Sequence, residues 1–312
     1  GEKLIIRDEK TASGRVHVGA MRTVSIHALI AHVLKERGVS NIFRYEINDF
    51  DAFDTVPSYV PREFEEHLAK PLYAVPSPVE GYENYARYFA EQYLVVVRGI
   101  GINPDVYYSS EQYKAGAYNE VIRAALLHAD DIRRIYKEVS GGGKEGEWLP
   151  IMMVCEECDR VATTRPVSFD GEQVSYVCDQ EAYGKQGCRH EGKASPFNGN
   201  AKLPWKVEWA AKWSVLGVDI EGAETGGRPQ GFGGTELMRE MELSEILVPV
   251  IVLTGYEAFT RAGGEVGLDA MAQDLREEFP EIFRGILHFN SAYGDWQQKL
   301  GAHLRRLGFS AL

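Results

Sequence analysis

The chain has 312 residues, 44% of them hydrophobic, enough for one large domain with an insert or for two domains. Its formal net charge of −12 excludes a generic nucleic-acid binder, because phosphate contacts need Lys and Arg, while leaving room for a local basic groove. No apolar run approaches the roughly 20 residues that span a bilayer. No signal-peptide pattern opens the chain, and Gly1 stands where an initiating Met would, so the expectation is a soluble cytoplasmic protein with no membrane partner.

Leu4-Ile5-Ile6 reads as a first strand. The polar turn Thr11-Ala12-Ser13-Gly14 follows. Residues 18–37 then read as a helix, with Val24, Leu29, Ile30, Val33 and Leu34 on one face and Gly38 as its stop. A helix N-terminus carries unpaired backbone N–H groups and a partial positive charge, so it suits phosphate or carboxylate. His17 stands there, with Gly19 leaving room beside it, and can reach a nucleotide lying across the turn. Alone, such a histidine is more often a packing or capping residue. Residues 41–48 read as a second strand, with Asp49 and Asp51 just beyond its C-terminal end. Open parallel sheets bind ligands beyond the carboxyl ends of their strands, so the turn and the acidic pair would face one crevice. Alone, the two aspartates serve equally well as turn or cap residues.

Residues 56–79 hold five prolines (57, 61, 71, 76 and 78) and read as an ordered excursion with little regular structure. Residues 82–98 read as a helix ended by Gly99-Ile100-Gly101, 106–108 as a short strand and 118–139 as a helix. Arg133, Arg134 and Lys137 form a small basic cluster, Arg305 and Arg306 another, and both read as solvated helix faces. A Gly-rich connector covers 140–146. Residues 203–216 read as an amphipathic helix with Trp205, Trp209 and Trp213 on one face, either a core stripe or the wall of a pocket. A strand at 218–220, a Gly-rich loop at 226–234, a short helix at 236–241 and a buried strand at 247–253 come next. Residues 268–287 look helical, broken at Pro280.

All four cysteines lie within residues 150–197. Cys155-Glu156-Glu157-Cys158 brings two thiolates onto one knuckle, where backbone N–H groups can point at sulfur. Cys178 and Cys188 can complete a tetrahedral zinc site, with His190 as a substitute for one of them. Four sulfurs leave no open position for water, so the site reads as structural; the alternative is four free or buried thiols. The insert has few large apolar residues, so metal would supply much of its folding energy.

Taken together, these segments resemble the class I lysyl-tRNA synthetases. The turn Thr11-Ala12-Ser13-Gly14-Arg15-Val16-His17-Val18-Gly19-Ala20 is similar to that family's Thr-Pro-Ser-Gly-x-x-His-Ile-Gly-Asn. Asn48-Asp49-Phe50-Asp51 with Val56-Pro57, the run from Phe64 to Pro71, the cysteine insert and the run from Lys202 to Trp213 are similar as well. The resemblance covers residues 4 to 245. It implies an α/β fold: a Rossmann-type class I aminoacyl-tRNA synthetase catalytic domain with a small zinc-binding insert. Residues 1–146 would be the first half of the catalytic domain and 147–200 the insert. Residues 201–312 would be the second half with a helical C-terminal tail. It also implies activation of an amino acid by ATP to an aminoacyl adenylate and transfer to a tRNA 3′ end. His17 and Gly19 would sit at ATP. Thr11, Ser13 and Trp209 would help form the amino-acid pocket, with Glu208 and Trp205 nearby and Asp49 and Asp51 in the same crevice.

The sequence departs from that family at several places. Ala20 stands for a phosphate-directed Asn, and Glu9 for a Gly, which narrows or recharges the amino-acid pocket. Asp54 stands for an Arg, and Glu224-Thr225-Gly226-Gly227 for a Gly-Lys-Asp-His segment. Residues 258–267 stand for a Lys-Met-Ser-Lys-Ser-like loop, with Arg261 as the one cation there. Only residues 268–312 follow that loop, so no large helical anticodon-binding domain is expected. Three readings follow. The first is an aminoacyl-activating or aminoacyl-transfer enzyme repurposed outside ordinary translation, taking lysine or a related amino acid and a small acceptor or a tRNA end. The second is a non-catalytic paralogue that senses an amino acid. The third is a divergent lysine-tRNA ligase using ATP.

Overall fold

The first strand does not stop at Ile6. In the computed structural model β1 spans Leu4–Thr11 and pairs residue for residue, in parallel, with β2, Asn41–Asn48. Asp, Glu and Lys are poor strand formers, so the polar half of β1 depends on what its side chains meet. β3, Asp105–Tyr108, extends the sheet on the far edge of β2. On the other edge of β1, Ile220 makes a single parallel bridge to Ile6, where a strand over 218–220 was expected. This is the order of a doubly wound sheet whose winding reverses at β1, the place where such sheets bind ligands.

The structure describes residues 3–16, 19–140, 146, 148–221, 238–239, 241–242, 247, 249–254, 258–261, 264–288 and 302. They belong to two units: Gly1–Val16 with Thr23–Gly222, and His17–Arg22 with Ala223–Leu312. His17, the Gly-rich loop at 226–234, Glu224 to Gly227 and Arg305-Arg306 lie outside the described residues.

Both faces of the first unit's sheet are covered. On one side lie α1, Ala20–Glu36, and α2, Tyr85–Gly99. His27 Nδ1 stands 3.8 Å from Asp8 Oδ2, and Tyr45 Oη donates to Tyr93 Oη at 3.1 Å. Asn84 starts α2 by accepting the Arg87 amide at 2.9 Å, a side-chain cap on an otherwise unpaired donor. Residues expected as one helix over 118–139 form two, because the backbone leaves the helical region at His128. These are α4, Asn119–Leu127, and α5, Ala129–Ser140. A short α3, Ser109–Lys114, precedes them. Arg133 and Arg134 pair with Asp130 and Asp131 of their own helix, as a solvated face should.

The proline-rich excursion contains two 3₁₀ turns, Arg62–His67 and Leu72–Ala74. Its backbone carries the cysteine insert, with the Val161 amide donating to Ala69 O at 2.9 Å and Arg160 Nε to Leu68 O at 3.2 Å. The insert is built from short strands. β4, Met152–Met153, pairs with β10, Ala201–Lys202, and β7, Glu181–Ala182, with β8, Lys185–Gln186. β5, Arg165–Phe169, β6, Val174–Val177, and β9, Glu191–Ala194, form an antiparallel sheet. Ile151, Met153, Val174 and Tyr176 share one core with Phe50, Tyr113, Tyr118 and Ile122. Apolar burial against α3 and α4 therefore contributes to the insert's stability, and a metal is not its sole support. Helix α6, Trp205–Val215, covers the second face of the parallel sheet.

In the second unit, residues 238, 239, 241 and 242 are helical, as expected for 236–241. The expected long helix over 268–287 is corrected. α7, Leu268–Glu278, ends before Pro280, and residues Phe283–His288 form strand β14, parallel to β11, Val250–Thr254. Burial alternates after the proline, with Phe283, Gly285 and Leu287 buried, the period of a strand. β12, Ala258–Arg261, and β13, Gly264–Gly267, pair as an antiparallel ribbon where the Lys-rich loop was sought. Met238, Met241, Met271, Leu275, Phe279 and Ile282 form this unit's core. Among the described residues no helix is long and apolar enough to cross a membrane.

Asp49 shows how the first unit depends on single polar residues. Its Oδ1 accepts from Ser109 Oγ (3.0 Å) and the Ser110 amide (2.8 Å), and its Oδ2 from Ser110 Oγ (2.6 Å), at the start of α3. Burial pushes this carboxyl up, against those hydrogen bonds. Asp49→Ala leaves the buried Ser110 hydroxyl and amide without their acceptor, while Ser109 Oγ keeps Asn48 Oδ1 at 3.1 Å. We expect it to lower unfolding stability by about 2 kcal/mol or more, read from the midpoint of urea denaturation.

Candidate active site

The alternation of β1 puts Arg7, Glu9 and Thr11 on one face of the sheet, and the parallel register sets Glu46 of β2 beside Glu9 and Tyr107 of β3 beside Glu46. Arg7 is fully buried. Its Nη2 reaches Glu46 Oε2 (2.7 Å) and Glu9 Oε2 (2.5 Å), its Nε donates to Tyr107 Oη (2.7 Å), and its Nη1 pairs with Glu221. Helix α6 answers this charged face with Glu208 and Lys212, one turn apart and both buried. Lys212 Nζ donates to Glu9 Oε2 (2.5 Å) and Glu46 Oε1 (2.8 Å) and stands 3.9 Å from Glu208 Oε2. Glu208 also pairs with Lys202 and accepts Tyr113 Oη at 2.8 Å. Lys202 Nζ reaches Asp51 Oδ1 at 3.1 Å, and Asp51 Oδ2 accepts Thr11 Oγ1 at 2.7 Å, which returns the circuit to β1. Burial opposes the charge on Lys202 and Lys212, but Glu208 and the other carboxylates outweigh it and hold both above the ordinary lysine range.

The ring places four predicted residues together, Glu9, Thr11, Asp51 and Glu208. It leaves Asp49 aside, committed to α3. Trp205, Trp209 and Trp213 are 66, 45 and 37% exposed, so the reading of them as a buried core stripe is corrected: α6 turns its charges inward and its tryptophans outward. Arg7, Glu46, Lys212, Tyr113 and Glu221 were missed. Glu46 had a signal, a lone acid in a strand between apolar neighbours, and so did Lys212, four residues after Glu208 and so on the same helix face as it.

The turn after β1 is held by close contacts. Tyr85 Oη donates to Ser13 O at 3.0 Å, and Tyr59 Oη accepts the Arg15 amide at 2.6 Å. A Cβ on Gly14 would lie 2.6 Å from that tyrosine oxygen, so glycine is what lets the hydroxyl close over the turn. Gly19 accepts the Arg22 amide at 3.3 Å at the start of α1, beside Ala20. Asp54 is exposed.

The cysteines converge. The sulfurs of Cys155, Cys158, Cys178 and Cys188 all lie within 4.8 Å of one another, with Cys155–Cys188 at 3.6 Å and Cys158–Cys178 at 3.8 Å. A tetrahedron of thiolates at the usual Zn–S length has edges of about 3.8 Å. Amides of Glu157 and Cys158 face the Cys155 sulfur, and that of His190 faces Cys188. The His190 ring lies against Tyr176, its Nε2 3.9 Å from Glu156 Oε2, so the four sulfurs form the donor set without it. At Gly187 a Cβ would fall 2.1 Å from Cys178 O, which ties the second knuckle to that glycine.

A parallel sheet whose strand order reverses at β1, with a polar turn and an ionic cluster at that point, has the arrangement of a doubly wound α/β domain. The chain belongs to the class I tRNA synthetases of the lysyl type: the family described as tRNA synthetases class I (K) matches residues 2–244. A lysine–tRNA ligase from Methanosarcina barkeri is 38% identical over 213 residues, 68% of this chain and 38% of the relative. One from the Fusaro strain of that species is 35% identical over 286 residues, 89% of this chain and 51% of the relative. One from Pyrococcus horikoshii is 35% identical over 227 residues, 71% and 42% of the two chains. The chain thus spans about half the length of these relatives, or less.

Glu9 makes the ring sensitive to acid. Burial favours its neutral form, but Lys212 and Arg7 outweigh that and hold the carboxyl down at about 2, against 4.5 for a free side chain. A carboxyl lowered in the folded state adds stability above its unfolded value and loses it as the pH falls through the folded one. The shift corresponds to a contribution on the order of 3 kcal/mol. The stability difference between the wild type and Glu9→Gln should be full above pH 5, shrink from about pH 4.5 downward and vanish near pH 2, as read by chemical denaturation at each pH.

Proposed function

We propose that this chain is the catalytic part of an aminoacyl-activating or aminoacyl-transfer enzyme whose amino acid binds at the ionic ring. The observation that carries the reading is the ring itself. It is a set of mutually fixed charges at the C-terminal ends of β1 and β2, beside the Thr11–Gly14 turn. Such a site holds its dipoles in place before the ligand arrives, which is how electrostatic catalysis of acyl and phosphoryl transfer works. In this reading Thr11, Ser13, Asp51 and Glu208 form the amino-acid pocket, with Trp205 and Trp209 as exposed aromatic surface at its margin. His17 and Gly19 attend the α-phosphate of ATP, and the product is an aminoacyl adenylate or its transfer product. The acceptor is a tRNA 3′ end, as the names of the relatives suggest, or a small molecule. The departures at Ala20 and over 258–267 favour slow adenylate formation and a role outside ordinary translation. They also favour a second reading, an amino-acid sensor without turnover.

Amino-acid-dependent ATP–pyrophosphate exchange tests the reading. One amino acid should support exchange, and His17→Ala should lower its rate by about 10²- to 10³-fold. Absence of exchange, together with failure to consume any charged tRNA, rejects both enzymatic versions and leaves the sensor.

We further propose that residues 147–200 form a module whose four cysteines hold one structural zinc ion, as suits a reducing, cytoplasmic compartment. Metal analysis should find about one zinc per chain and a clear loss in Cys155→Ser; purified protein without metal rejects the site.

A further inference from the structure

Two carboxylate oxygens of the ionic ring take no hydrogen bond, Glu221 Oε2, which is buried, and Oε1 of Glu9, whose side chain is partly exposed. Glu9 Oε2 is held by Arg7 Nη2 and Lys212 Nζ, both at 2.5 Å, so the carboxylate cannot swing. Its Oε1 accepts no hydrogen bond from any described residue. Glu9 is 24% exposed and Asp51 31%, whereas the buried partners that hold them are at most 1% exposed. Both oxygens of Asp51 are taken, by Lys202 and Thr11. Glu9 Oε1 is therefore the anionic acceptor the ring offers to a ligand.

The charge count points the same way. Three cations, Arg7, Lys202 and Lys212, face five carboxylates, those of Glu9, Glu46, Asp51, Glu208 and Glu221. Burial holds the Glu221 carboxyl up to about 7, so a proton meets part of this excess, and the rest lies where water is scarce and uncompensated charge is costly. Glu221 carries the mark of it. Its side chain is 5% exposed, its Oε1 pairs with Arg7, and its Oε2 is buried with no hydrogen-bond partner. A ligand that brings positive charge relieves this site; one that brings a carboxylate or phosphate to Glu9 meets repulsion.

We propose that Glu9 is a specificity-determining residue whose free Oε1 receives an ammonium group of the ligand, a step that rests on the ring being the amino-acid pocket. Glu9 stays ionised at neutral pH because Lys212 and Arg7 outweigh its burial. The contact is a charge-assisted hydrogen bond at a partly dry mouth. The ammonium can come from the α-amino group or from a basic side chain, and the two sources separate by ligand chemistry.

Calorimetric titration of the wild-type protein with lysine and with 2,4-diaminobutyrate provides the reference affinities. Norleucine lacks the side-chain ammonium of lysine, and 6-amino-2-hydroxyhexanoate lacks its α-ammonium. One of these two losses should weaken binding about tenfold to a hundredfold, and which one it is names the source. In Glu9→Gln, which keeps the volume and removes the charge, that same loss should change affinity by less than about threefold. Equal binding of lysine and both analogues to the wild type overturns the proposal without any need for the variant to fold. So does an equal loss of affinity for lysine and the analogue in Glu9→Gln, and so does failure of both diamino acids to bind. Pyrophosphate exchange by the wild type with unchanged amino-acid ranking in Glu9→Gln removes the role of Glu9 and leaves the enzymatic reading standing. Ammonium-dependent binding without exchange does the reverse.

Discussion

A parallel sheet that carries charge on a buried face must be covered by an element that carries the opposite charge. Arg7, Glu9 and Glu46 impose that constraint here, and α6 meets it. Its Glu208 and Lys212 point at the sheet, and the remaining faces of the helix take what is left, which includes three tryptophans. Val207, Ala211 and Val215 pack against the apolar core beside them, so α6 is an amphipathic helix with two charges set into its inner face. Removing one partner from such a layer strands the others in a dry place, at a cost of roughly 3–5 kcal/mol, while a well-packed apolar replacement of the whole layer would be neutral or better. The ring is therefore a costly structural device, which is consistent with the site proposed for it.

The same constraint explains where sequence reading succeeded and failed. β2 was legible to the residue, because Asn41–Asn48 has apolar residues and a glycine stop before it. β1 was cut short after Ile6, because Arg7 to Lys10 look like a loop until the residues that neutralise them are known, and those lie as far off as Lys212 and Glu221. The cysteine cluster was legible from local spacing, since two knuckles within one short insert need no long-range information. The outward tryptophans were ambiguous because a period of four fixes a shared face and says nothing of which way it points. Phe283–His288 was misread as helix because its six residues are too few to separate a period of two from one of 3.6; the parallel partner β11 decides it.

Family membership and local geometry contribute different things. The match over residues 2–244 establishes what kind of domain this is, and it extends over the turn, the acidic segment, the insert and α6. The ring explains why those scattered segments belong together: Thr11, Asp51 and the pair Lys202 and Glu208 come from three of them and meet in one circuit of contacts. Asp49 is the instructive exception. It sits two residues from Asp51, yet it fastens α3, because the strand ends at Asn48 and residues two apart beyond it no longer share a face. A carboxylate in a family segment can thus serve the scaffold rather than the ligand, and the hydrogen bonds to Ser109 and Ser110 decide which.

Glu9 couples the scaffold to the ligand. It lies two residues before Thr11 on the same face of one strand, and Thr11 both leads into the turn and holds Asp51. Backbone pairing to Glu46 and Asn48 fixes both positions, so a ligand group placed on Glu9 is set at a constant distance from the turn where a phosphate would be handled. A carboxylate that could rotate freely would lose that registration and would cost side-chain entropy on binding. Arg7 from the sheet and Lys212 from α6 prevent the rotation by both holding the same oxygen, Oε2. The two cations that seem to use up the acid are what make its remaining oxygen a positioned acceptor.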